Sequence, residues 1–70
     1  MKYTQTIQFK GYDGNPIAFI TNKIICCGAM DDPKETNIWI QGNDEPFIVN
    51  EDYLTVKNKI ETAVQLINRA

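Results

Sequence analysis

The residues from about Asp52 to Asn68 repeat their apolar side chains with the period of an α-helix. Spacings of i, i+4, i+7, i+8 and i+11 place these side chains on one face of such a helix. Asn50 or Asp52 can cap its first turn, and acidic residues favour the positive end of the helix dipole. We therefore expect one amphipathic helix, packed through Val56, Ile60, Ala63, Val64 and Ile67.

The residues before this helix follow the period of β-strands. Tyr3, Ile7 and Phe9 alternate with polar residues, which is typical of a half-buried strand. The pair Asp13-Gly14 tolerates positive φ angles, and apolar residues resume at Ile17. The first part of the chain is therefore predicted to form a β-hairpin.

Three further apolar segments follow, at residues 24–27, 37–41 and 46–49. The first is apolar at every position, which suits a strand that is covered on both faces. The second and third are separated by a turn-rich segment at residues 42–45, so we expect them to pair as a second hairpin. The polar segment at residues 30–35 contains a proline and is predicted to be an exposed loop.

Together these elements predict one α+β domain spanning residues 1–70. Its fold is expected to be an antiparallel meander of about five short strands, with the C-terminal amphipathic helix packed on one face. Side chains alternate across a strand, so Trp39 and Ile48 are expected on the sheet face away from the helix, along with one of each pair in the run from Ile24 to Cys27. The residues expected to face the helix are Ile38, Ile40, Phe47 and Val49.

The composition argues against several classes of function. The 70 residues include no histidine, the commonest metal ligand and general base, so we expect neither an enzyme nor a metal or cofactor site. Nine acidic residues stand against seven scattered basic ones, which disfavours nucleic acid as a partner. The sequence shows no signal peptide or membrane-spanning run, so the expected location is the cytoplasm.

The adjacent residues Cys26 and Cys27 allow two interpretations. A redox switch or a soft-metal site would need exposed thiols with lowered pKa values. Free cysteines are also among the most buried residue types, and in a strand two successive ones point to opposite faces. We therefore expect both to be structural thiols, with redox or metal handling as the alternative.

Trp39 is the strongest candidate for a partner-binding residue, with Ile48 beside it on the outer sheet face. A large ring there is either covered by the N-terminal hairpin of its own chain or available to a partner. If it is available, we expect a homodimer, since identical chains are the commonest partners, or a contact with another protein, centred on Trp39. The sequence leaves these two alternatives open.

Several segments resemble the FlbD/SwrD-type small flagellar motility proteins and similar short phage and bacterial open reading frames. The resemblance covers about residues 9–65 and consists of a glycine turn, a strand of the type T-x-I-x-apolar, a second hairpin and a closing helix. It is carried by the segments 14–20, Thr36-Asn37-Ile38-Trp39-Ile40 and Pro46-Phe47-Ile48-Val49-Asn50-Glu51. It implies a sheet-plus-helix architecture and a motility accessory role, and no catalytic residue.

The sequence favours a non-enzymatic protein-interaction module of phage or mobile-element origin, because it offers apolar outer surface and no group suited to catalysis. A flagellar accessory protein is the alternative that the resemblance implies. A small redox or metal-handling protein, acting through Cys26 and Cys27, is the third.

Overall fold

The computed structural model describes the backbone of residues 5–69 and the side chains of residues 5–65. The α+β class is confirmed, since the chain forms five antiparallel strands followed by one helix. The elements are β1 (Thr6–Lys10), β2 (Pro16–Ile20), a 3₁₀ turn (Thr21–Lys23), β3 (Ile24–Ala29), β4 (Thr36–Ile40), β5 (Phe47–Val49) and α1 (Tyr53–Arg69). The polar segment between β3 and β4 is a loop, as predicted.

Strands β1 and β2 form the predicted N-terminal hairpin. Its turn contains Gly14 with a φ of 90°, a conformation that glycine adopts without strain. The Asp13 carboxylate accepts a hydrogen bond from the backbone N–H of Asn15 at 3.0 Å and so stabilises the turn. Ile7 pairs with Phe19 across the hairpin, and both side chains are buried on its inner face.

Strands β3, β4 and β5 form a separate three-stranded sheet that contains the predicted second hairpin. The strands therefore do not form one continuous meander, because the 3₁₀ turn separates β2 from β3 and these two strands do not pair. The pairing of β3 with β4 shifts between Ile24 and Cys26, which makes Ile25 the extra residue of a β-bulge.

The two sheets meet at one end of β1. Gly11 bridges Val49 of β5, and the N–H of Asn50 donates to the carbonyl of Lys10 at 2.7 Å. The Glu51 carboxylate then accepts the N–H of Lys10 at 2.7 Å and forms an ion pair with Lys59 of α1 at 2.9 Å. The segment after β5 thus follows β1 for two residues and leads directly into the helix.

Helix α1 begins after Asp52, which is its N-terminal cap. The Asp52 carboxylate accepts hydrogen bonds from the N–H of Thr55 at 3.1 Å and from its hydroxyl at 2.7 Å. These bonds hold the pKa of Asp52 below its ordinary value. Of the two capping residues that the sequence allowed, the helix uses Asp52.

The helix contacts β1, β3 and the 3₁₀ turn through most of the predicted face. Val56 and Ala63 are buried, and Ile60 packs against the core. The prediction for Val64 was wrong, because its side chain is 41% exposed and lies at the solvent edge of the apolar stripe. The Ile67 side chain lies outside the described residues.

The core lies between the inner faces of both sheets and the helix. Its buried apolar residues are Ile7, Phe9, Phe19, Ile38, Val49, Val56 and Ala63. Phe47 points to this side, as predicted, but it packs on Phe19 of the hairpin at 5.3 Å between ring centroids. The hairpin and the helix therefore share the inner face of the three-stranded sheet.

Candidate interaction surface

Trp39 and Ile48 lie on the outer face of the three-stranded sheet, opposite the helix. Ile38 pairs with Cys27 and Phe47 on the inner face, so the alternate positions of each strand point outward. Ile48 pairs with Asn37, which makes it a diagonal neighbour of Trp39. Both apolar side chains are half-buried, and neither belongs to the core cluster.

The β-bulge adds two residues of β3 to this face. Ile24 and Cys27 both pack against the core, although strict alternation over three positions would send them to opposite faces. The extra residue resolves this conflict by letting Ile25 and Cys26 both point outward, and Ile25 is 65% exposed. We name the four apolar residues of this face, Ile25, Cys26, Trp39 and Ile48, the outer-face patch.

The unbroken apolar run at residues 24–27 predicted a strand that is covered on both faces. This prediction was wrong, because the outer face of the segment is open. Ile25 and Cys26 are exposed, while Ile24 and Cys27 are half-buried on the inner side. The sequence signal of this arrangement is the odd spacing of three positions between the two inward residues, Ile24 and Cys27. A regular strand needs an even spacing between residues on one face, so an odd spacing indicates a bulge.

The centre of the outer face is uncharged and closely packed. The Asn37 side chain lies over Gly28, where an added Cβ would be only 2.7 Å from the Asn37 Oδ1 atom. That oxygen is buried and has no hydrogen-bond partner among the described residues. No residue of β3, β4 or β5 carries a charge. The face therefore presents apolar groups and one amide without any fixed charge.

The two thiols have different surroundings. Cys26 is exposed in the outer-face patch, whereas Cys27 is half-buried and packs against the core. Burial raises the pKa of the Cys27 thiol, and the nearby Cys26 raises it further. The expected burial is therefore partly met for Cys27 and wrong for Cys26, while the structural role of both thiols stays a prediction. Both cysteines are free, and their positions on opposite faces separate the two sulfur atoms.

The N-terminal hairpin packs on the inner face, where Phe19 contacts Phe47. The hairpin meets the edge of the outer face at a cleft of about 430 Å³, which is lined by Tyr12, Ile17 and Ile48. The hairpin body therefore does not fold over Trp39. Among residues 5–69, the hairpin thus does not cover the half-buried Trp39 ring in the way that one of the two alternatives required.

The sequence contains three adjacent acidic pairs, and two of them have local structural roles. The pairs are Asp31-Asp32, Asp44-Glu45 and Glu51-Asp52. Asp32 accepts the N–H of Lys34 in the loop, and Glu51 and Asp52 bind Lys59 and the helix start. Within the described residues, no three cysteine, aspartate or glutamate side chains lie close enough together to hold a metal ion.

Comparisons with known proteins add no assignment. No protein family matches this sequence, and comparisons with curated proteins and with solved structures also find no match. Among residues 5–69, no helix is both long enough and apolar enough to cross a membrane.

Proposed function

We propose that this protein is a non-enzymatic protein-interaction module that self-associates through the outer-face patch. One observation carries the proposal: three adjacent strands present apolar side chains on one face, beside a single amide, and the core does not use them. Large apolar residues that converge on one face of a sheet are typical of association surfaces. A chain of 70 residues also buries a smaller share of its surface than larger domains do, so an added interface stabilises it.

A second copy of the chain is the partner that best suits this face. The strands of the sheet carry no charge, so two identical faces can meet without like-charge repulsion, although each chain has a net charge of −2. A two-fold interface also requires a self-complementary surface. A neutral row containing one indole ring and two isoleucines meets this requirement.

Sedimentation velocity on wild-type protein and on Trp39→Glu tests the proposal. We expect concentration-dependent dimers for the wild type and monomers for the variant, because the carboxylate would be desolvated in the interface. The control is Leu54→Glu, which introduces the same charge at an apolar side chain that is 64% exposed on α1, away from the patch. This control should dimerise like the wild type.

The far-ultraviolet circular dichroism of both variants should match that of the wild type, since neither position contributes to the core. A wild type that stays monomeric at high micromolar concentration contradicts self-association. Equal loss of dimer in Trp39→Glu and Leu54→Glu also contradicts it, because the effect would then arise from charge alone.

The cytoplasmic location and the phage or mobile-element origin belong to this proposal, and a flagellar accessory role is its alternative. The first is supported by two free cysteines, which suit a reducing compartment. The accessory role is supported by the sequence resemblance alone, and swimming assays on a deletion strain of the source organism test it.

A further inference from the structure

Strand β1 pairs with β2 along only one of its two edges. The N–H of Gly11 donates to the carbonyl of Asn15, and the N–H of Thr21 donates to the carbonyl of Gln5. Each of these hydrogen bonds joins two residues that lie directly opposite each other in the hairpin. In an antiparallel pair, such hydrogen-bonded positions alternate with positions whose N–H and C=O groups point away. The outward positions of β1 are therefore Thr6, Gln8 and Lys10.

The far edge of β1 is satisfied only at its C-terminal end. The Lys10 carbonyl accepts the N–H of Asn50, and the Lys10 N–H donates to the Glu51 carboxylate. The Gln8 carbonyl accepts a hydrogen bond from the Lys59 ammonium at 3.2 Å. Among the described residues, no partner meets the N–H of Gln8 or either backbone group of Thr6. Strand β1 thus retains a short open edge, and open edges pair readily with another chain.

This edge forms one wall of a groove, and helix α1 forms the other. The groove has a volume of about 540 Å³, within the range of roughly 300 to 1,000 Å³ that is usual for binding clefts. The strand contributes Gln5, Thr6, Ile7 and Gln8, and the helix contributes Thr55, Asn58, Lys59, Thr62 and Ala63. Lys59 is the only charged residue of this lining, and Glu51 already neutralises it.

We propose that this groove binds an extended polypeptide segment of another protein, which adds as a strand to β1 between Thr6 and Gln8. The unpaired groups are main-chain groups with the spacing of a strand, so the chemistry that they fit is another extended backbone. The helical wall is polar and carries small side chains at Thr55 and Thr62, which suits a segment with small, uncharged side chains.

A second copy of this chain does not fit the groove in the same way. Its own open edge is also flanked by α1, so two such edges would bring two helices into the space that one strand needs. An isolated extended segment has no flanking helix and can enter. The Lys59 ammonium, on a side chain that is 39% exposed, leaves the Gln8 carbonyl when a peptide N–H replaces it.

The probe for this site is a fluorescein-labelled peptide of alternating threonine and valine, titrated into the full-length protein. The matched control peptide has the same side chains with every strand amide N-methylated, which removes its backbone donors. We expect saturable binding of the first peptide only. Amide hydrogen exchange at Thr6 and Gln8 should slow when the peptide is bound.

Two proline variants separate the groove edge from the rest of the hairpin. Gln8 and Ala18 are direct partners, and both direct their N–H groups away from the β1–β2 ladder, Gln8 into the groove and Ala18 to the opposite side. Gln8→Pro should weaken peptide binding about tenfold or more through loss of a backbone donor. Ala18→Pro makes the same change outside the groove and should bind like the wild type.

A second pair of variants keeps the test informative if Gln8→Pro does not fold. Thr62→Trp fills the groove from an exposed helix position, whereas Gln65→Trp adds the same ring at an exposed position that does not line it. The first should abolish binding and the second should preserve it.

Three results would overturn the proposal. These are absence of binding at millimolar peptide, equal binding of the N-methylated peptide, and binding that requires removal of residues 1–4, which would make the chain's own N-terminus the occupant. The groove is separate from the outer-face patch, so Trp39→Glu should bind the peptide normally. Loss of self-association and loss of peptide binding are therefore distinguishable.

Discussion

The two adjacent cysteines show how strongly the position of a single residue in a strand determines its surroundings. Cys26 shares the outer face with Trp39, its direct partner in β4, while Cys27 pairs with the buried Ile38. Identical thiols one residue apart therefore differ in exposure. For Cys27, burial also raises the thiol pKa, which lowers the fraction of reactive thiolate at neutral pH.

We expect iodoacetamide to alkylate Cys26 before Cys27 at neutral pH. Mass spectrometry of the time course should show one fast and one slow addition, and Cys26→Ser should remove the fast phase while Cys27→Ser leaves it. If the outer-face patch self-associates, the fast phase should slow as protein concentration rises. Equal alkylation rates for both thiols would contradict the difference in exposure between Cys26 and Cys27.

The cap residue Asp52 gives a prediction with a defined pH dependence. Its pKa is lowered from an ordinary value of 3.8 by the hydroxyl and N–H of Thr55, so its charged form stabilises the folded state. This stabilisation is fully present above pH 3.8 and is lost as the pH falls through the lower folded-state pKa.

Asp52→Ala should therefore melt at a lower temperature than the wild type at pH 7, and the two melting curves should converge in acid. Asp52→Asn is the matched control, since it retains an oxygen acceptor without the charge and should lose less at pH 7. A difference in melting temperature that is the same at all pH values would show that the charge of the cap is irrelevant.

At the scale of elements, the face through which helix α1 packs on the core is narrower than the apolar stripe along the helix. Val56 is completely buried, whereas Val64, two turns later, is 41% exposed. The sheets that the helix covers do not extend far enough around it to reach the edge of the stripe. Periodicity predicts which residues share a face, but the width of the contact depends on the neighbouring elements.

These two valines form a matched pair for mutation. Val56→Asp places a carboxylate in the core and should lower the free energy of unfolding by about 4 kcal/mol, a large part of the stability that is usual for a chain of this size. Val64→Asp introduces the same group at the solvent edge and should change it by about 0.5 kcal/mol or less. Urea denaturation followed by circular dichroism measures both, and similar losses would contradict the packing of α1.

At the scale of the whole molecule, the local patterns of the sequence correspond closely to the elements. The alternation at Ile7 and Phe9, the positive φ of Gly14 and the cap at Asp52 are all local signals, and the structure confirms them. The way in which the two sheets meet was not predictable, because it depends on the long-range bridge between Gly11 and Val49. Bridges of this kind leave no periodic pattern in either segment.

Of the two candidate surfaces, one was predictable from local sequence patterns and the other was not. The outward position of Trp39 follows from alternation alone, and the structure places it on the face that was predicted. The groove beside β1 could not be predicted, because it requires α1 to lie along the edge of a strand more than forty residues earlier in the chain. No sequence pattern near Thr6 or Gln8 indicates that α1 lies beside this strand.

The bulge at Ile25 has a consequence for how this chain tolerates changes in length. Deleting one residue from the middle of a strand normally reverses the orientation of every side chain beyond it. Here, a chain without Ile25 would alternate regularly, with Ile24 inward, Cys26 outward and Cys27 inward, and the existing pairs with β4 would be kept. Strand β3 is therefore a place where related sequences can differ by one residue and still share the same fold.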